Sequence, residues 1–230
     1  MLSRIIKTFL GILLIPAAIA FGRTFYIFLS DIGAHSGMFH VFERGVLTYL
    51  LAHTLFFRPV YLYVLAHEFV HVLATWLFGG RVVSFNISPR SGNVVTSKTN
   101  VFIELSPYFV PLYTILLGPV FLILKNMIGE DMGILSGFFI FLAGVTLAFH
   151  FVMTREALMM QQSDIAKSGF IFSMVLIFIG NLTVVIGVFA TFFNDISVID
   201  FLRKSADNSA EIYKMIYEKV ITFVNTPKIR

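Results

Sequence analysis

The sequence predicts an all-α polytopic membrane protein with about 5–6 transmembrane helices, a small β-hairpin insertion and a C-terminal amphipathic helix. Composition is the first reason. The 230 residues are 57% hydrophobic and 16% aromatic but only 13% charged, with 27 Phe and a mean hydropathy of +0.87. Soluble domains carry about 25% charge, so this chain has too little to coat a globule in water. The second reason is the recurrence of apolar runs near the roughly 20 residues that cross a bilayer, separated by short polar loops. Third, there is no internal repeat and no low-complexity linker, so residues 1–230 read as one membrane domain.

Two function classes fall away early. Cys is absent, which removes disulfides, redox pairs and thiolate metal sites, so a metal here must be held by His, Asp or Glu. The net charge of +4 is the kind of excess that marks cytoplasmic loops. No polar stretch interleaves aromatic with basic residues, so nucleic acid is not an expected partner; membrane lipid is.

At the N-terminus, Arg4 and Lys7 precede an apolar run over Phe9–Phe21 that resumes at Phe25–Leu29 after Arg23. With no clear small-residue cleavage site, this reads as a retained first helix. Residues 31–58 are interrupted by His35, His40, Glu43 and Arg44, and Val46–Phe57 is short, which suggests an interfacial or re-entrant helix, with a full span as the alternative. Pro59 suits the first turn of a helix that runs through Trp76 and stops at Gly79-Gly80. Residues 81–98 form the hairpin loop: Arg81–Ser88 alternates loosely, Pro89–Asn93 supplies turn residues and Val94-Val95-Thr96 resumes. Val101–Leu124 reads as a helix kinked at Pro107 and Pro111. Met132–Met153 and Gly169–Phe193 are cleaner spans, the second with Asn181 in its middle. The tail, residues 195–230, places Ile212, Met215, Ile216, Val220 and Phe223 at helical spacing among Lys and Glu, an amphipathic helix against membrane or bundle.

The hairpin carries Arg81, Arg90 and Lys98 with no acid, whereas the next loop holds Glu130 and Asp131 against Lys125. The positive-inside rule then puts the hairpin in the cytoplasm, with Arg155–Ser168 on the same side, in a multi-pass protein of the cell membrane.

The chemistry sits in His67-Glu68-Phe69-Val70-His71. A separation of four residues stacks two imidazoles on one helical face, where both can ligate one zinc ion, and Glu68 beside them can act as general base to a metal-activated water. With 6 His in the chain, chance gives roughly 0.005 matches to the pattern. His71 lies 8 residues before Gly79, which puts the metal about 12 Å below that helix end. The competing reading is a polar cluster satisfied by neighbouring helices. A third protein ligand is needed, and the candidates are Asp164, His150, Glu104 and His53.

The run Ala66–Leu73 followed by Gly79-Gly80-Arg81-Val82-Val83 resembles the site-2 protease family of intramembrane zinc metalloproteases. The resemblance covers about residues 60–170, the metalloprotease core. It implies that Asp164, 93 residues after His71, is the third zinc ligand. Gln161-Gln162-Ser163-Asp164-Ile165 departs from the family's Leu-Asp-Gly motif, lacking the following Gly and a preceding Asn or Pro, so the chain resembles a divergent member. The implied activity is hydrolysis of peptide bonds in a transmembrane protein substrate, with Glu68 as catalytic base and His67, His71 and Asp164 on Zn2+. The alternatives are a non-proteolytic or metal-binding scaffold that holds partner helices, and a metal transporter.

Overall fold

The computed structural model describes residues 2–225, apart from Ser36, Phe57, Glu130, Asp131, Gln161, Gln162 and Asn194. The polar pair Gln161 and Gln162, which the sequence offers as site neighbours, therefore lies outside the described residues. In chain order the elements are α1 (Leu2–His35), α2 (Phe39–Leu55), α3 (Val60–Leu77), β1 (Val82–Ile87), β2 (Gly92–Thr96), α4 (Val101–Leu105), a 3-10 turn (Ser106–Tyr108), α5 (Leu112–Ile128), α6 (Gly133–Leu158), α7 (Ser163–Ser168), α8 (Phe170–Phe192) and α9 (Val198–Asn225). The protein is all-α and polytopic with one two-stranded antiparallel sheet. By length and hydropathy α1, α3, α6 and α8 can each cross a bilayer, and the bent pair over 101–128 brings the number to five.

The apolar N-terminal run is a single helix through Pro16 to His35. Residues 39–55, expected as an interfacial or re-entrant helix, form a 17-residue helix packed on the bundle. α2 lies along α6 and runs in the same direction, Phe42 beside Gly144, Tyr49 against Phe149 at 5.7 Å between ring centroids, and His53 on Glu156 at 3.3 Å. The physical reason is a pair of glycines. A Cβ at Gly45 would run into the Phe141 carbonyl, and one at Gly144 into that of Phe42, so only hydrogen at both positions lets the backbones meet. Phe39, Phe42, Phe121, Phe139, Phe189 and Phe192 fill the core at the far end, where α6 begins and α8 ends.

The stretch expected as one kinked helix is instead broken. Pro107 and Pro111 remove two backbone donors within five residues, so α4 gives way to a 3-10 turn and α5 restarts after Pro111, bent by 80°. α5 then runs antiparallel to α6, with Thr114 and Thr146 sharing a hydrogen bond of 2.9 Å. That break lets residues 101–108 turn inward toward α3.

α3 does not run the length of the bundle. Arg58, just before it, reaches Glu156 near the end of α6 (3.7 Å). At its other end Phe78 stacks on Phe102 of α4 (6.0 Å), and α4 is tied to the start of α8 through Glu104 and Ser168. Both ends of α3 thus belong to the end of the bundle where α6 stops and α8 starts. Gly79, at φ +68°, then reverses the chain. The hairpin, rather than standing off at the surface, folds back beside α3, with a register irregularity between Val82 and Ser84. Its turn brings Gly92 onto Glu68.

Candidate metal centre

A helix places residues four apart on one face, and α3 uses that to set His67 and His71 side by side, ring centroids 5.0 Å apart. Asp164 reaches them from α7. Its Oδ2 lies 3.6 Å from His71 Nε2 and 4.0 Å from His67 Nε2, and the three ligand atoms fall within 4.8 Å of one another. Both contacts are too long for hydrogen bonds. An ion would draw them closer, since ligand bonds near 2.0–2.1 Å in a tetrahedron put donor atoms about 3.4 Å apart. Two nitrogens and one oxygen are a donor set that zinc accepts. Among the described residues, these three form the group able to hold a metal ion.

The surroundings aim the ligands. His71 Nδ1–H donates to the Ile103 carbonyl at 2.8 Å, which fixes the tautomer and turns Nε2 toward Asp164. Ile103 is itself held, because Asn100 caps α4 by accepting from the Ile103 N–H at 2.8 Å. Tyr108 packs edge-on against His67 at 5.1 Å and donates its hydroxyl to Asp164 Oδ2 at 3.3 Å. The short helix α7 has two anchors: Ile165 is buried among Leu105, Tyr108 and Ile177, and Ser168 donates to Glu104 Oε2 at 2.6 Å. Burial pushes the Asp164 carboxyl up, but His71, His67 and Lys167 beside it pull harder the other way, so it stays below the ordinary carboxylate range.

The remaining candidates separate cleanly. Glu104 is a brace, accepting from Thr99 as well as Ser168. His53 bonds Tyr49 and Glu156 on α2 and α6. His150 is buried on α6 behind His67. His67 Nδ1 and His150 Nε2 both lack a hydrogen-bond partner, and both side chains line one small cavity. His150 is not among the three residues whose ligand atoms converge. Glu68 is buried, within reach of the charges of His71 and Asp164, and the Gly92 backbone covers it.

Depth can be read from α8. The Tyr108 carbonyl accepts from Asn181 Nδ2 at 3.0 Å, and Asn181 lies eleven residues into α8. Tyr108, against which the cluster rests, is thus about 16 Å along that helix from its start. Tyr108, Asn100 and the Ile103 carbonyl escaped the sequence reading. Asn100 ahead of an apolar run was a legible cap signal, whereas a carbonyl acceptor leaves no trace in residue type. Compared with protein-family models, curated proteins and solved structures, the chain finds no match in any of the three.

Proposed function

We propose that this chain is an intramembrane zinc metalloprotease, a divergent relative of the site-2 protease family, cutting transmembrane protein substrates from the cytoplasmic side. The observation that carries the reading is the convergence of Asp164 on His67 and His71, with Glu68 next to them. A helix-borne pair of histidines can be chance or core packing. A carboxylate 93 residues further along the chain converges on both imidazoles, the His71 ring aimed by its hydrogen bond to the Ile103 carbonyl. A charged cluster in an apolar bundle is costly unless paired or metal-bound.

His67, His71 and Asp164 would hold the ion, and zinc, when bound, supplies Lewis-acid polarisation of a carbonyl and makes water more acidic. Glu68 takes the proton from the attacking water on its carboxylate and delivers it to the leaving amine nitrogen, closing the proton balance of amide hydrolysis. The Ile103 carbonyl keeps His71 in the ligating tautomer throughout. The Tyr108 hydroxyl and the buried Ile165 hold Asp164 in place. A substrate helix hides its carbonyls and must unwind to be cut, and the hairpin gives the unwound strand an edge to pair with, Val83 and Phe85 lying exposed on β1.

The test is made on protein purified in detergent, scoring bound metal and, in cells, membrane proteins that accumulate uncut. Glu68→Gln should keep a wild-type zinc content while cleavage drops at least about 100-fold. Asp164→Ala should lose zinc on dialysis. Phe85→Pro should stop cleavage with zinc retained. If Glu68→Gln changes no membrane protein's abundance or length, the protease reading fails and a metal-binding scaffold takes its place. If iron rather than zinc copurifies at one per chain, the metal assignment fails.

A further inference from the structure

The last helix poses a problem that the metal centre does not solve. α9 runs back along α1, antiparallel to it. Phe201 packs edge-on against Phe28 (5.6 Å) and Phe21 (5.7 Å), Asn208 donates to Thr24 Oγ1 (2.8 Å), and the Tyr213 hydroxyl donates to the Leu13 carbonyl (2.6 Å). From Phe28 to Leu13 is fifteen residues of an α1 segment that is itself long and apolar enough to cross a bilayer, about 22 Å of descent. α9 therefore passes through most of the roughly 30 Å hydrocarbon depth beside α1.

Yet α9 is not apolar. Asp200, Arg203, Lys204, Asp207, Glu211, Lys214 and Glu218 are all exposed. At about 100° per residue they fall within a stripe about 100° wide, centred about 120° around the helix from the face that Phe201, Ser205, Asn208 and Ile212 turn to α1. At its start the stripe meets the rest of the molecule: Lys204 Nζ lies 5.1 Å over the Phe28 ring, and Asp200 and Lys204 line a cavity with Asp31 and Lys125. Further on, Asp207, Glu211, Lys214 and Glu218 are exposed, and in a lone chain they turn toward acyl chains. Ion pairs within the helix, Arg203 to Asp200 at 3.9 Å and Lys214 to Glu218 at 4.0 Å, are long and leave the groups facing outward. Intramembrane charges of this kind face a bundle interior or water, or pair with one another.

We propose that the charged stripe of α9 is a homodimer interface, in which two copies inserted the same way round lay their α9 helices side by side. The order of the charges argues for a second copy. Each base in the stripe has an acid three or four residues to either side: Asp200 and Asp207 for Arg203 and Lys204, Glu211 and Glu218 for Lys214. Lys204 and Glu211 lie on one edge of the stripe, Asp207 and Lys214 on the other. A two-fold axis along the membrane normal lays one edge of each helix against the opposite edge of its mate. That sets Lys214 of each copy beside Glu211 of the other at adjacent levels, while Lys204 stays over Phe28 of its own chain. The stripe thus complements itself in the parallel arrangement that shared insertion demands. The inference rests on membrane insertion alone and stands whether or not the chain is a protease.

The chain has no Cys, so engineered thiols report without background. In liposomes of phosphatidylcholine and phosphatidylglycerol, Asp207→Cys should give a disulfide-linked dimer on mild oxidation. Ala206→Cys, exposed on the same helix but about 100° around it, should give at least tenfold less. Energy transfer between labelled copies, diluted in lipid, should show Lys214→Glu weakening association at least tenfold. Adding Glu211→Lys to that variant should restore it, which a merely unfolded variant would not do. Equal cross-linking at both thiols, no transfer in the wild type at any dilution, or no rescue by the double swap would each overturn the interface. So would cross-linking of Asp207→Cys only to a different added membrane protein.

Discussion

Gly92 is the residue on which the proposed chemistry leans without taking part in it. A Cβ built there would stand 2.8 Å from Cδ and Oε1 of Glu68 and closer still to Cγ, so Gly92→Ala must push either the hairpin or the carboxylate aside. The three atoms nearest that Cβ all belong to Glu68 and none to His67, His71 or Asp164. The expected outcome is a zinc content equal to wild type, with cleavage down about 100-fold, the scale of loss that a displacement near 1 Å produces in a catalytic constellation. Equal losses of zinc and cleavage would mean that the hairpin shapes the whole centre and not Glu68 alone. This contact also marks where sequence reading stops. His67, Glu68 and His71 were legible because their geometry is local, four residues on one helix. Asp164 stood among four candidates for the third ligand and was singled out through a family resemblance, since nothing in Gln161-Gln162-Ser163-Asp164-Ile165 states which helix it will face. Gly92 read merely as one of several turn residues, because the reason for its missing side chain lies on α3.

Among the elements, α2 and α6 show how a segment that looks too short for a membrane helix becomes part of the bundle. Length and charge in residues 31–58 argued for the interface, and the deciding information was the pairing of Gly45 with Gly144, two positions nearly 100 residues apart. Small residues let helices approach until backbone meets backbone, which in lipid replaces the hydrophobic drive that soluble helices use. Gly45→Ala and Gly144→Ala should each destabilise the protein by about 1–3 kcal/mol, the usual cost of overpacking. Gly187, on α8, is the control: nothing lies within 4 Å of its Cβ position, so Gly187→Ala should be neutral or stabilising by up to about 1 kcal/mol through helix propensity. Unfolding midpoints in one detergent would rank the three. The same logic explains the misread helix over Val101–Leu124. Pro107 and Pro111 were visible, but a kink and an 80° break differ by whether α3 offers the freed segment a place to dock, which the sequence of that segment does not contain. The tail was legible as amphipathic, yet its apolar side is only partly used. Ile212 is half-buried, while Met215, Ile216, Val220 and Phe223 remain exposed past the last contact with α1.

For the molecule as a whole, the His67–His71–Asp164 cluster joins three parts of the chain that the break at Pro107–Pro111 and the long α5–α6 excursion would otherwise leave loosely related. α3 carries the two histidines, α7 carries the carboxylate, and α4 steadies both sides through Ile103 and Glu104. An ion bound there closes a loop of 93 residues, from His71 to Asp164, and binds the folded chain alone, because the unfolded chain does not hold the three donors together. Linkage then fixes the size of the effect: free zinc at 100 times its dissociation constant should add about 2.7 kcal/mol to stability. For a chain of this size that is a rise of about 5–10 °C in the unfolding midpoint. The rise should vanish on chelation and return on adding zinc back. Asp164→Ala should be blind to zinc over the same range, whereas Glu68→Gln, which keeps every ligand, should respond like the wild type. A midpoint that ignores zinc in the wild type would show that His67, His71 and Asp164 hold together as a polar cluster, and the site would then need no ion to account for its shape.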